Sequence, residues 1–151
     1  MKKLNINYIA GLFDGEGWIM ISRSSKEVKG RKNPAYHFRI GIEITSHDIL
    51  KEIVKIYSGN IYTRPQRNNR KVTYTWYLDS NNAMNFLKTI ANRLFIKKRQ
   101  AKIAIDYQKH VNKFTENNHR TGRKLTSKEA GYRENTVLKI RSLNSFNALR
   151  K

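Results

Sequence analysis

Apolar residues recur along this chain with two periods, 3.6 and 2, and each change of period marks the edge of an element. Ile6, Ile9, Ala10 and Phe13 stand at i, i+3, i+4 and i+7, which predicts a helix with one buried stripe, capped by Asn5 or Asn7. Asp14-Gly15-Glu16-Gly17 is expected to break that helix and release an alternating segment. Ile19 and Ile21 point one way there, and Trp18, Met20, Ser22 and Ser24 the other. A basic loop at 29–34 leads to the clearest strand, with Phe38, Ile40, Ile42 and Ile44 on one face and His37, Arg39, Gly41, Glu43 and Thr45 opposite. A helix capped by Ser46 or Asp48 follows to Tyr57, through Ile49, Ile53 and Ile56, and Gly59 stops it. Strands are predicted at 60–66 and 70–79, joined by the turn residues Arg67-Asn68-Asn69. In the second of these Val72, Tyr74, Trp76 and Leu78 form the core face, and Lys71, Thr73, Thr75 and Tyr77 point outward.

Helical spacing returns at 81–93 through Met84, Leu87, Ile90 and Ala91, and again at 97–114 through Ala101, Ala104, Tyr107, Gln108 and Val111. A polar, basic linker at about 115–125 precedes a T-x-x-E capping box, Thr126 to Glu129. That box opens a last helix, about 126–149, with Val137, Ile140, Leu143 and Phe146 on its buried side. The pattern predicts an α+β fold: two hairpins forming a four-stranded antiparallel sheet, with helices on its apolar face and its polar face bare. A single domain over residues 1–151 is expected, with a core at about 4–114.

Composition narrows the function. With 31 Lys and Arg against 11 Asp and Glu, the formal charge is +20, so a polyanion is the expected partner, nucleic acid first. No apolar run reaches the ~18 residues of a spanning helix, and the start is too broken for a signal peptide, so an intracellular protein and no membrane partner are expected. The abundance of A+T-rich codons behind Lys, Asn, Ile and Tyr suggests a bacterial or phage cytoplasm, or an organelle. Zero cysteines exclude disulfides and thiolate metal sites, leaving oxygen or imidazole ligands. The four histidines lack the i, i+4 pairing of a helical zinc site.

In the segment 9–17, Ala10 and Gly11 leave one side of the helix with little bulk, a surface that suits pairing with its own copy. Glu16, placed just past the helix between two glycines, offers its carboxylate to a hard divalent cation. Pairing about a twofold axis would bring two such carboxylates together. The nine residues Ile9-Ala10-Gly11-Leu12-Phe13-Asp14-Gly15-Glu16-Gly17 resemble the LAGLIDADG motif, and the α-β-β-α-β-β-α order resembles the half-saddle core of that family of homing endonucleases and intron maturases. One motif per chain implies a homodimer through the segment 9–17. The resemblance further implies Mg²⁺, or Mn²⁺ in its place, bound by Glu16 and the carbonyl of Gly15. It makes Asp14 structural and matches Lys97 to a basic residue near the scissile phosphate. Where many relatives carry a water-orienting glutamine, this chain has Ser46, with His47 beside it.

The resemblance thus implies metal-dependent cleavage of double-stranded DNA at a long, near-palindromic site. The bare sheet face would lie in the major groove. Base contacts are expected from Ser22, Ser24, Lys26, His37, Arg39 and Glu43, with Arg39 favouring guanine and Glu43 a cytosine amino group. Arg64, Arg67, Arg70, Lys71, Thr73 and Thr75 complete the expected DNA-binding set. Two other functions fit the same fold: a DNA-binding regulator that no longer cuts, against which the acid at position 16 argues, and a maturase that binds intron RNA. A basic surface from Arg120 to Lys128 with Arg133 and Lys139 would serve the latter.

Overall fold

The computed structural model describes residues 4–24, 34–65, 71–117 and 125–148. The helix α1, Ile6–Glu16, leads into strands β1, Gly17–Arg23, and β2, Tyr36–Ile44. Helix α2, His47–Tyr57, precedes strands β3, Asn60–Arg64, and β4, Thr73–Asp79. Helix α3, Ser80–Ile90, tightens into a 3₁₀ turn at Ala91–Arg93, before α4, Lys98–Asn117, and α5, Ser127–Ala148. The four strands form one antiparallel sheet in the order β1-β2-β4-β3. The predicted α+β order is therefore the observed one. No described helix is long and apolar enough to cross a membrane.

The core lies between the apolar sheet face and the helices. Ile19, Ile21, Phe38, Ile40, Ile42, Trp76 and Leu78 meet Ile9, Phe13, Leu50, Ile53, Phe86, Leu87 and Ile90, all buried. Phe86 centres the cluster, with Phe13, Tyr57 and Trp76 packed edge-on around it at centroid distances of 4.9–5.4 Å.

Several boundaries differ from those the pattern predicts. The run Asp14-Gly15-Glu16 does not break α1: a helical glycine costs only about 1 kcal/mol, and the N–H of Gly17 caps the carbonyl of Phe13. Glu16 is thus the last helical residue instead of lying beyond the helix. Asn5 is the cap, accepting from Tyr8 N at 2.8 Å. The buried stripe of α2 runs through Leu50 and Ile53 with Val54 and Tyr57 half-buried, whereas Ile56 is exposed. Strand β3 stops at Arg64 because Pro65 has no N–H to donate. Strand β4 begins at Thr73, the residue opposite Arg64, so both strands end together.

Helix α4 continues to Asn117, three residues into the expected linker. Residues 118–124, the basic loop at 29–33, the turn at 67–69 and the side chain of Phe146 lie outside the described residues. Only half of the predicted capping box forms. Glu129 N donates to Thr126 Oγ1 at 3.1 Å, but the buried Glu129 carboxylate binds His110 Nε2 at 2.7 Å and Arg133 Nε at 2.6 Å instead of turning back to the cap. That cluster seats α5 on α4. Asn144 Nδ2 donates to Ile19 O at 3.0 Å, seating the far end of α5 against β1. Tyr107, buried beneath, has its hydroxyl pKa pushed up to about 12 by desolvation.

Gly59 closes α2 with φ +99°, and a Cβ there would stand 2.6 Å from Trp76 Nε1, whose N–H donates to Ser58 O at 2.8 Å. Gly59→Ala is expected to cost about 1–3 kcal/mol, read as a lower urea midpoint. Gly131→Ala, where a Cβ meets open space inside α5, should raise that midpoint by a gain of up to ~1 kcal/mol. Equal midpoints for the two variants would contradict the geometry.

Candidate active site and nucleic-acid interface

The end of α1 is held by a residue far along the chain. Asp14 is buried, and its Oδ2 accepts the N–H groups of Phe95 at 2.7 Å and Ile96 at 3.0 Å, while Oδ1 accepts that of Lys97 at 2.8 Å. Lys97 answers by donating its ammonium to the backbone carbonyl of Asp14. A carboxylate thus satisfies the segment entering α4, and a lysine caps the last turn of α1, where carbonyls have no helical donor. Both acidic oxygens of Asp14 are engaged, which places it in the structural role expected for it.

Glu16 follows on the same turn and is exposed. Gly15 before it is exposed too, and a Cβ on it would meet nothing within 4 Å. These residues fit a hard cation: an oxygen ligand from Glu16, a carbonyl of Gly15 in the last turn, and the negative end of a helix. Among the described residues no three His, Asp or Glu side chains gather into a metal-holding group. Further ligands to a cation there would have to come from outside this set.

The strip of α1 facing away from the core differs from the expected one. Ala10 is buried, whereas Gly11 is exposed with no atom within 4 Å of its Cβ position, as at Gly15. The open strip is therefore Gly11 and Gly15, one turn apart. Tyr8 on this helix is 44 % exposed, and Phe95 and Ile96, tied by their N–H groups to Asp14, are 91 % and 59 % exposed.

Gly17 pairs with Ile42, so the end of β2 passes the start of β1, and Ser46 emerges at the Glu16 end of the sheet. Ser46 occupies the cap position of α2 without a side-chain capping hydrogen bond. His47 stacks on Tyr74 at 4.5 Å.

The polar sheet face carries the other expected residues in register. Ser22 lies opposite His37, Met20 opposite Arg39, Arg39 opposite Asp79, Glu43 opposite Thr75 and Arg64 opposite Thr73. Trp18 lies across Gly41, where a Cβ would come within 2.4 Å of its ring. Ser24 extends the hairpin by donating its N–H to Ala35 O at 2.8 Å. Lys71 is exposed just before β4. Lys26, Arg67 and Arg70 lie outside the described residues.

Two of these side chains are already engaged. Glu43 accepts from Thr73 Oγ1 at 3.0 Å and Thr75 Oγ1 at 3.4 Å, and Arg64 stands 3.4 Å away. Arg39 makes a two-point contact with Asp79, Nε to Oδ1 at 2.6 Å and Nη2 to Oδ2 at 3.2 Å, and its guanidinium lies 4.5 Å over the Tyr77 ring. The Asp79 hydrogen bond raises the Arg39 pKa above its ordinary value, against the opposing effect of burial. Asp79 was absent from the expected set because β2 and β4 are not consecutive, and local alternation carries no register between them.

The sequence model of the family described as LAGLIDADG endonuclease matches residues 9–110. The chain belongs to that family. Among solved structures it is similar to the homing endonuclease I-CvuI in complex with its target and calcium, with TM-score 0.70, 18 % identity, and 91 % of this chain and 80 % of that one covered. It is similar to the archaeal intron-encoded I-Vdi141I bound to DNA, with TM-score 0.70, 19 % identity and coverages of 91 % and 82 %. The homing endonuclease I-TnaI aligns over 99 % of both chains, with TM-score 0.64 and 14 % identity. No curated protein matches the chain.

Replacing Asp14 by Ala would leave three backbone donors of the α4 approach without their acceptor. A loss of about 2–4 kcal/mol is expected, measured by urea denaturation. Retention of wild-type stability would show that the clasp is not formed in solution.

Proposed function

We propose that this protein is a sequence-specific endonuclease that cuts both strands of duplex DNA as a homodimer, at a long, near-palindromic site, with Mg²⁺ or Mn²⁺ as cofactor. The observation that carries this is Glu16, exposed on the last turn of α1 beside the open strip of Gly11 and Gly15. Two copies paired along that strip approach closely, because neither helix presents a Cβ there. Phe95 and Ile96 supply apolar area at the same helix end, where exposed hydrophobics of this size mark an interaction surface. A twofold axis through the strip then sets the two Glu16 carboxylates side by side. The DNA-bound similarity of I-CvuI and I-Vdi141I supports duplex DNA as substrate, as does the charge of +20.

Glu16 and the Gly15 carbonyl would hold the cation, which supplies Lewis-acid polarisation of the phosphate and offsets charge on the departing oxygen. Water adds to phosphorus, the bridging ester oxygen leaves as an alcohol, and each strand is severed once. Lys97, anchored through its own backbone and ammonium to Asp14, keeps a positive charge at that helix end to stabilise the pentacoordinate phosphate. Ser46 and His47 lie at the same end of the sheet and form the solvent side of the site. The polar face of the sheet reads base edges in the major groove, and the exposed basic residues position the phosphates.

Glu16→Gln should abolish Mg²⁺-dependent strand scission while DNA binding in a gel-shift assay stays within about threefold. Cleavage by the variant near the wild-type rate would refute the assignment. Wild-type protein that retards duplex DNA but leaves both strands intact would be a regulator instead. Gly11→Lys should leave the subunit folded, since its side chain meets open space and helix propensity rises by up to ~1 kcal/mol. Its mass by light scattering should fall to that of one chain, with cleavage lost, and a dimeric, active variant would exclude this interface.

A further inference from the structure

Arg39 stands on the polar sheet face with its guanidinium bound by Asp79 and laid over Tyr77. A guanidinium has a side edge, Nε with Nη2, and an end edge, Nη1 with Nη2. Asp79 occupies the side edge with two hydrogen bonds. The end edge keeps a parallel pair of N–H groups, the pair that matches O6 and N7 of guanine. Tyr77, two residues before Asp79 on the same face of β4, underlies the guanidinium plane at 4.5 Å. Asp79 faces Arg39 directly across the β2–β4 ladder, so no long side chain must bend to make the contact.

The ion pair contributes little to the stability of the fold. Its side chains are 41 % and 46 % exposed, and half-exposed pairs lose most of their Coulomb attraction to water. Its effect is on conformation: an arginine otherwise distributed over many rotamers is ordered before DNA arrives, which lowers the entropy lost on binding. Placing a carboxylate against a face that must meet phosphate-rich DNA also weakens non-specific binding by one charge. Both effects favour discrimination over affinity.

We propose that Asp79, resting on the DNA-reading role of the sheet face, is a positioning residue that sets base selectivity by presenting the end edge of Arg39 to guanine. The test is a binding selection from a randomised duplex library, using the full-length protein, with retained duplexes sequenced. Wild type, Arg39→Ala, Asp79→Ala and Asp106→Ala are compared, the last removing one exposed acid of α4 as a charge control. Wild type should show a guanine preference that Arg39→Ala abolishes. Asp79→Ala should reduce that preference from on the order of tenfold to roughly threefold or less. Its affinity for a random-sequence duplex should rise by more than in Asp106→Ala, whose acid lies on α4 away from the polar sheet face, with at most a small fall in the urea midpoint, since Asp79 stands at the N-cap of α3 without a side-chain capping bond. Asp79→Ala retaining the Arg39-dependent preference overturns the proposal. An Arg39→Ala profile and affinity equal to wild type instead refutes the assignment of this face to DNA, and distinguishes that failure from the first.

Discussion

The carboxylate of Asp14 accepts three consecutive backbone N–H groups from a segment more than 80 residues away, and Lys97 of that segment donates back to the Asp14 carbonyl. Most of what positions the candidate site depends on this exchange. Charge-assisted hydrogen bonds are the strong ones, and a buried carboxylate without donors is costly, so neither side can relax independently. The exchange locks the last turn of α1, which carries Glu16, to the start of α4, which carries Lys97. Helix α4 is in turn held to α5 by Glu129 between His110 and Arg133. Geometry at one exposed carboxylate is thus set by the packing of three helices.

The two acids of the motif have opposite fates because of where helical rotation puts them. Asp14 falls on the side of α1 that meets the α4 approach, and both its oxygens accept hydrogen bonds there. Glu16, two residues on, is turned to solvent. Gly15 between them lets the helix end without a side chain over its carbonyl. The same rotation leaves Gly11 and Gly15 as an open strip while Ala10 packs into the core. The exposed Glu16 carboxylate and the open glycine strip therefore share one helix.

The two faces of the sheet carry different kinds of residue. Its apolar face is committed to the core, and its polar face carries networks that cross strands: Glu43 with Thr73, Thr75 and Arg64, and Arg39 with Asp79 over Tyr77. Side chains ordered by neighbours on the adjacent strand offer a defined set of donors and acceptors. Trp18 lying over Gly41 gives the middle of the face an apolar floor between these networks.

Local periodicity alone specified the α-β-β-α-β-β-α order and the faces of β1 and β2, because the 3.6 and 2.0 repeats are properties of neighbouring residues. The nine-residue motif likewise singled out Glu16 and a structural Asp14 before any fold was known. Long-range packing decided the rest. It turned Ala10 inward and Ile56 outward, because several stripes of a short helix are apolar enough to be buried and only the neighbouring elements choose among them. It paired Arg39 with Asp79, because register between strands that are not consecutive is set by the sheet as a whole. And it carried α1 through Asp14-Gly15-Glu16, where local propensity favours a break, because three distant N–H groups and one lysine hold that last turn in place.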